Sequence, residues 1–65
     1  MTVEDVIAER VEAVGITAAE LARRCDMDAQ LLRRSLDGKR GIKSIELVRI
    51  CAQLNLTLED FAGCE

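Results

Sequence analysis

The chain has no histidine, no proline, no tryptophan and no tyrosine, and Phe61 is its one aromatic residue. With so few rings and no proline, Leu, Val, Ile and Ala carry the apolar content, which favours helices over a β-sandwich or barrel. The expected class is all-α. Without histidine, without paired acids in a recognisable pocket and without a phosphate-cradling glycine pattern, an enzyme is not expected; Gly38-Lys39-Arg40-Gly41 is not a P-loop. Cys25, Cys51 and Cys64 are odd in number and widely spaced, so neither a disulfide framework nor a zinc site is indicated, and no cofactor is implied. Cys25 and Cys51 read as small buried hydrophobes. No apolar run approaches the roughly 20 residues of a membrane span, and the first residues, Met1 to Asp5, are acidic where a signal peptide is basic. A cytoplasmic protein with no membrane partner is expected.

What is present is one domain's worth of chain, 65 residues, with strongly segregated charge. A domain this small buries only roughly 60% of its unfolded surface, so modest stability is expected. The net charge of −3 hides a basic centre: Arg23, Arg24, Arg33, Arg34, Lys39, Arg40, Lys43 and Arg49 outweigh Asp26, Asp28, Asp37 and Glu46 between residues 22 and 50. Acids dominate on either side. Such a distribution describes a solvated helix surface, and it equally suits a protein that sets one face against phosphates.

Caps and periodicity divide the chain into helices at about 2–14, 18–25, 29–36, 44–54 and 58–62. Thr2 caps the first, which Gly15 ends in a left-handed conformation, with Val3, Val6, Ile7, Val11 and Val14 inward. Arg10 falls within that apolar stripe, so it must snorkel or find an acid. Thr17-Ala18-Ala19-Glu20 has the form of a capping box, and Asp28 offers a fresh cap after the Asp26-Met27 turn. In the third helix Leu31, Leu32, Ser35 and Leu36 share one side, while Ala29, Gln30, Arg33 and Arg34 share the other. The fourth, capped near Ser44, is expected to bury Ile45, Leu47, Val48, Ile50, Cys51 and Leu54, leaving Glu46, Arg49 and Gln53 outside. Asn55 suits a left-handed stop, and Thr57 to Asp60 begins a last short helix contributing Leu58 and Phe61.

Two short helices joined by about four polar residues, the second with an apolar inner and a basic outer face, have the outline of a helix-turn-helix. From Gly15-Ile16-Thr17 through Glu20-Leu21-Ala22, Leu32, Gly38-Lys39-Arg40 and Leu47 to Leu54, and on to Leu56-Thr57-Leu58-Glu59-Asp60-Phe61, the chain resembles the lambda-repressor-like, XRE-type helix-turn-helix family. That resemblance implies a compact five-helix bundle over residues 1–65, with Ala22 permitting close approach of the two motif helices and Leu32 holding the reading helix to the core. It also implies double-stranded DNA as partner, read at base edges by Ala29, Gln30, Arg33 and Arg34. Lys39, Arg40 and Lys43 would contact phosphates.

The chain departs from the family in four places. Ala18 stands where glutamine is frequent, Asp26 where the turn usually has glycine, and Ser35 where Ile or Leu packs; Val11 and Leu36 replace an arginine–glutamate pair. Asp26 can turn left-handed but places a negative charge near any phosphate, Ser35 can bond back to the Leu31 carbonyl, and Val11 should pack with Leu36. The function expected is a sequence-specific DNA-binding transcriptional regulator, as a homodimer on a two-fold operator or dependent on a protein partner. The alternative is a module of this fold that grips another protein, as some phage-encoded regulators and antitoxin-like domains do.

Overall fold

Side-chain oxygens start the helices of this chain and left-handed residues stop them. A computed structural model describes residues 1–64, with α1 at Val3–Val14, α2 at Ala18–Arg24, α3 at Ala29–Leu36, α4 at Ser44–Leu54 and a 3-10 helix at Leu58–Phe61. The described residues contain no strand, and no helix among them is long and apolar enough to cross a membrane. Thr2 Oγ1 accepts from the Asp5 amide and the Asp5 carboxylate accepts from the Thr2 amide, closing a reciprocal cap on α1. Gly15 ends that helix at φ 84°, a region open to glycine because it has no Cβ.

Two expected caps are rearranged. Thr17 accepts from the Glu20 amide at 3.1 Å, but the Glu20 carboxylate turns away to Arg23 and Arg24, so the box is half formed. The charged partners three and four residues along the helix outcompete a neutral amide. α4 is capped from Lys43 rather than Ser44, with the Glu46 carboxylate accepting from the Lys43 amide at 3.0 Å. Its start is one residue earlier than a serine cap would place it.

The last element differs in kind. The fifth α-helix expected at 58–62 is a 3-10 turn, in which the Asp60 amide donates to the Thr57 carbonyl and the Ala62 amide to Glu59. Both bonds span three residues, and Gly63 at φ 85° leaves no length for a wider turn. The described residues therefore form four α-helices and one 3-10 turn.

Ile7 and Val11 from α1, Leu21 and Ala22 from α2, Leu32 from α3, Ile50 and Leu54 from α4, and Cys25 and Leu56 beside them form one buried cluster. Leu36 is partly buried and packs against the cluster that contains Val11. α4 turns Leu47, Ile50, Cys51 and Leu54 towards it, an i, i+3, i+4, i+7 stripe. Ile45 and Val48 lie off that stripe and are exposed, as are Val14, Leu31 and Leu58, all five expected inward. The cluster is already filled from one side of each helix. Arg10 finds an acid after all: its guanidinium donates to Asp60 Oδ1 at 3.3 Å and to the Leu54 carbonyl at 3.0 Å, joining α1 to the end of α4 and the 3-10 turn.

Candidate nucleic-acid interface

The link between α2 and α3 sets where α3 points. Asp26 sits at φ 55°, the Met27 amide donates to the Ala22 carbonyl at 2.9 Å, and the Asp26 amide donates to Arg23. These are the two crossed bonds of a Schellman stop, made here with aspartate where glycine is usual. Two residues later the Asp28 carboxylate accepts from the Gln30 and Leu31 amides at 2.8 and 3.2 Å and starts α3. With Ala22 buried, the two helices pack directly on each other.

α3 is then divided by its own periodicity. Leu32 and Ser35 are fully buried, and Ser35 Oγ donates back to the Leu31 carbonyl at 3.1 Å, so its hydroxyl is satisfied inside the core. Gln30, Arg33 and Arg34 are exposed on the opposite side. Among the described residues neither arginine is in an ion pair, although Asp37 lies within a turn of both. Both occupy the last turn of α3, where the free carbonyl ends favour cations. Ala29, grouped by sequence with the outer face, is half-buried and packs against the core at the start of α3.

The loop after α3 carries the other three candidates, which the structure separates. Lys39 and Lys43 are exposed. Arg40 turns inward: its guanidinium donates to Ser35 Oγ at 2.9 Å and to Glu46 Oε2 at 3.0 Å, with side-chain exposures of 19% and 15% for the pair. Glu46 uses its other oxygen on the Lys43 amide, and Glu4 from α1 accepts from the Ile42 amide at 3.1 Å. Arg40 and then the Lys43 amide hold the Glu46 carboxyl below the usual range. The loop is thus stapled from α1, α3 and α4, and its two lysines project from a fixed backbone. Glu4 and Glu46 were not among the expected site residues. The spacing Lys43 to Glu46 carried the signal for Glu46, obscured by the better capping propensity of Ser44.

No family model, curated protein or solved structure matches this chain. What its surface does has to come from its own chemistry. The three cysteines are free, with burial pushing the Cys25 and Cys51 thiols up; Arg49 opposes the shift at Cys25 and Asp60 adds to it at Cys51. Neither is poised as a thiolate nucleophile. The feature most able to engage a ligand is the outer face of α3 with the flanking lysines, where two guanidinium forks, one amide and two ammonium groups face water.

Proposed function

We propose that this chain is a sequence-specific DNA-binding regulator of transcription, a helix-turn-helix protein of the lambda-repressor-like kind acting in the cytoplasm, with α3 entering the major groove. The observation that carries the reading is that Gln30, Arg33 and Arg34 are exposed on one side of α3 while Leu32 and Ser35 anchor the other. Arg presents a bidentate fork to guanine O6 and N7, and Gln presents a donor and an acceptor to adenine. Lys39 and Lys43 supply the sequence-independent phosphate contacts. Arg40 shapes the loop that holds them instead of touching phosphate. Ala29 supports the start of the reading helix from beneath. The function needs no cofactor and no catalytic group.

Fluorescence anisotropy on a duplex selected from a random pool tests it. Arg33→Ala and Arg34→Ala are each expected to lose roughly 1–3 kcal/mol on the selected duplex, and Lys39→Ala to weaken selected and random duplexes alike. Binding of wild type should also fall steeply between low and moderate salt. If selection yields no enriched sequence, or both arginine variants bind as wild type does, the major-groove assignment is wrong. The acidic net charge and the inward turn of Arg40 favour a second reading, a protein-binding module, for which DNA affinity would be weak and nonspecific.

A further inference from the structure

α3 packs mainly on α2 and α1, and α4 mainly on α2. Among the described residues, the hydrogen bonds that join α3 to α4 pass through Arg40. One nitrogen of its guanidinium donates to Ser35 Oγ at 2.9 Å and another to Glu46 Oε2 at 3.0 Å, so one planar fork spans the two helices. Glu46 passes the constraint on, because its second oxygen accepts from the amide of Lys43, the residue that opens α4. Ser35 is itself held, its hydroxyl donating to the Leu31 carbonyl from a fully buried side chain. A continuous path of hydrogen bonds therefore runs from the inner side of α3 to the backbone of Lys43. A leucine at position 35 would bury more apolar surface but give Arg40 nothing to bond; the serine supplies an acceptor inside the core.

We infer that Ser35 and Glu46 are positioning residues for the DNA contact, setting through Arg40 where Lys43 stands relative to Arg33 and Arg34; this rests on the DNA-binding reading. Phosphate contacts fix the register of a protein on a duplex, and base contacts depend on that register. Arg33 and Arg34 are carried by α3 and Lys43 by the start of α4, so both kinds of contact form together at one spacing of those helices. Apolar packing is non-directional and allows small slides of one helix over another, which hydrogen bonds near 3 Å resist. With side-chain exposures of 19% and 15%, Arg40 and Glu46 make theirs largely out of water, where such bonds are stronger. Lys39 is placed differently. Its amide donates to the Arg34 carbonyl at 2.9 Å across the left-handed Gly38, so α3 alone carries it and the bridge does not. The role of the bridge is therefore specific to Lys43.

Ser35→Ala cuts the bridge without changing charge, and anisotropy on selected and random duplexes reads the result. Circular dichroism at the assay temperature gives the folded fraction of each variant, for which its affinities are corrected. The preference of Ser35→Ala for the selected over the random duplex is expected to fall about 2- to 10-fold, the worth of one hydrogen bond. In a Lys43→Ala background the same substitution should leave that preference unchanged, whereas in a Lys39→Ala background it should cost as much as in wild type. Glu46→Gln keeps one acceptor for the Lys43 amide while discharging the partner of Arg40, and its loss of preference should likewise vanish without Lys43. A role confined to folding would leave the folded protein's preference untouched, so wild-type behaviour of both variants overturns the inference. So does a loss of equal size with and without Lys43, which would place the fault in α3 itself. A wild type that binds neither duplex overturns the DNA-binding reading, and the positioning role falls with it.

Discussion

α3 and α4 are built from the same plan and end with opposite surfaces. Each fixes one apolar side into the shared core, α3 through Leu32 and α4 through Ile50 and Leu54. The outer side of α3 then carries Gln30, Arg33 and Arg34, and the outer side of α4 carries Ile45, Val48 and Ala52. In each helix the core takes one side only. What remains on the other side is free to be chosen for a partner, and the two choices differ in kind: guanidinium and amide groups suit a polyanion read through hydrogen bonds, whereas branched aliphatics suit a surface that also excludes water.

The sharpest way to break this contrast is to truncate both sides of α4. Ile50→Ala should cost about 2–5 kcal/mol in urea denaturation, because the side chain is fully buried and its loss leaves a cavity. Val48→Ala should stay within about 0.5 kcal/mol, as expected of an exposed site. Equal losses from the two would mean that the outer stripe is core after all.

A smaller effect separates the loop from α3. Arg40→Met should destabilise by about 1–3 kcal/mol, since it strips the guanidinium from Ser35 and leaves Glu46 partly buried with only the Lys43 amide. The pH dependence has a definite sign. Glu46, Glu20 and Asp5 have carboxyls held below the usual range in the folded chain, so their stabilisation is complete above about pH 5 and is lost as pH falls through the lowered values. Arg40→Met should flatten that acid limb by removing the largest cause at Glu46. An acid limb as steep as wild type's in chemical denaturation followed from pH 7 to pH 3 would contradict the staple.

The element boundaries were legible because capping and left-handed stops are local. Asp28 and Leu36 bracket α3 where sequence places them, and Asp26 and Asn55 both take positive φ, at 55° and 56°. Identity of the covering partner is not local. Periodicity put Ile45, Val48 and Leu58 inward, whereas the core leaves all three exposed. Arg40 read as a free loop cation because its acceptors, Ser35 and Glu46, meet it only once the loop has folded back between α3 and α4. Arg10 was the converse, a charge whose need for a partner was plain while Asp60, 50 residues away, was not.

A gain in place of a loss is expected at the joint between α2 and α3. Asp26→Gly should raise stability by up to about 1 kcal/mol, relieving the Cβ contact of the left-handed conformation, and it removes a negative charge between α2 and α3. Thermal melts and anisotropy on the same variant separate the two consequences. A lower melting temperature would show that the Asp26 side chain contributes something its backbone geometry does not reveal.

Arg10 also dictates an order of events. Its guanidinium bridges a carbonyl 44 residues ahead and a carboxylate 50 residues ahead, so a chain emerging from the ribosome cannot make this fastening before residue 60 is out. Until Asp60 is out, α1 has no hold on the far end of the domain through it, and the earlier helices pack without their closing strap. Translation therefore times this fastening, and a pause before residue 60 would lengthen the interval during which α1 is open to proteolysis without it.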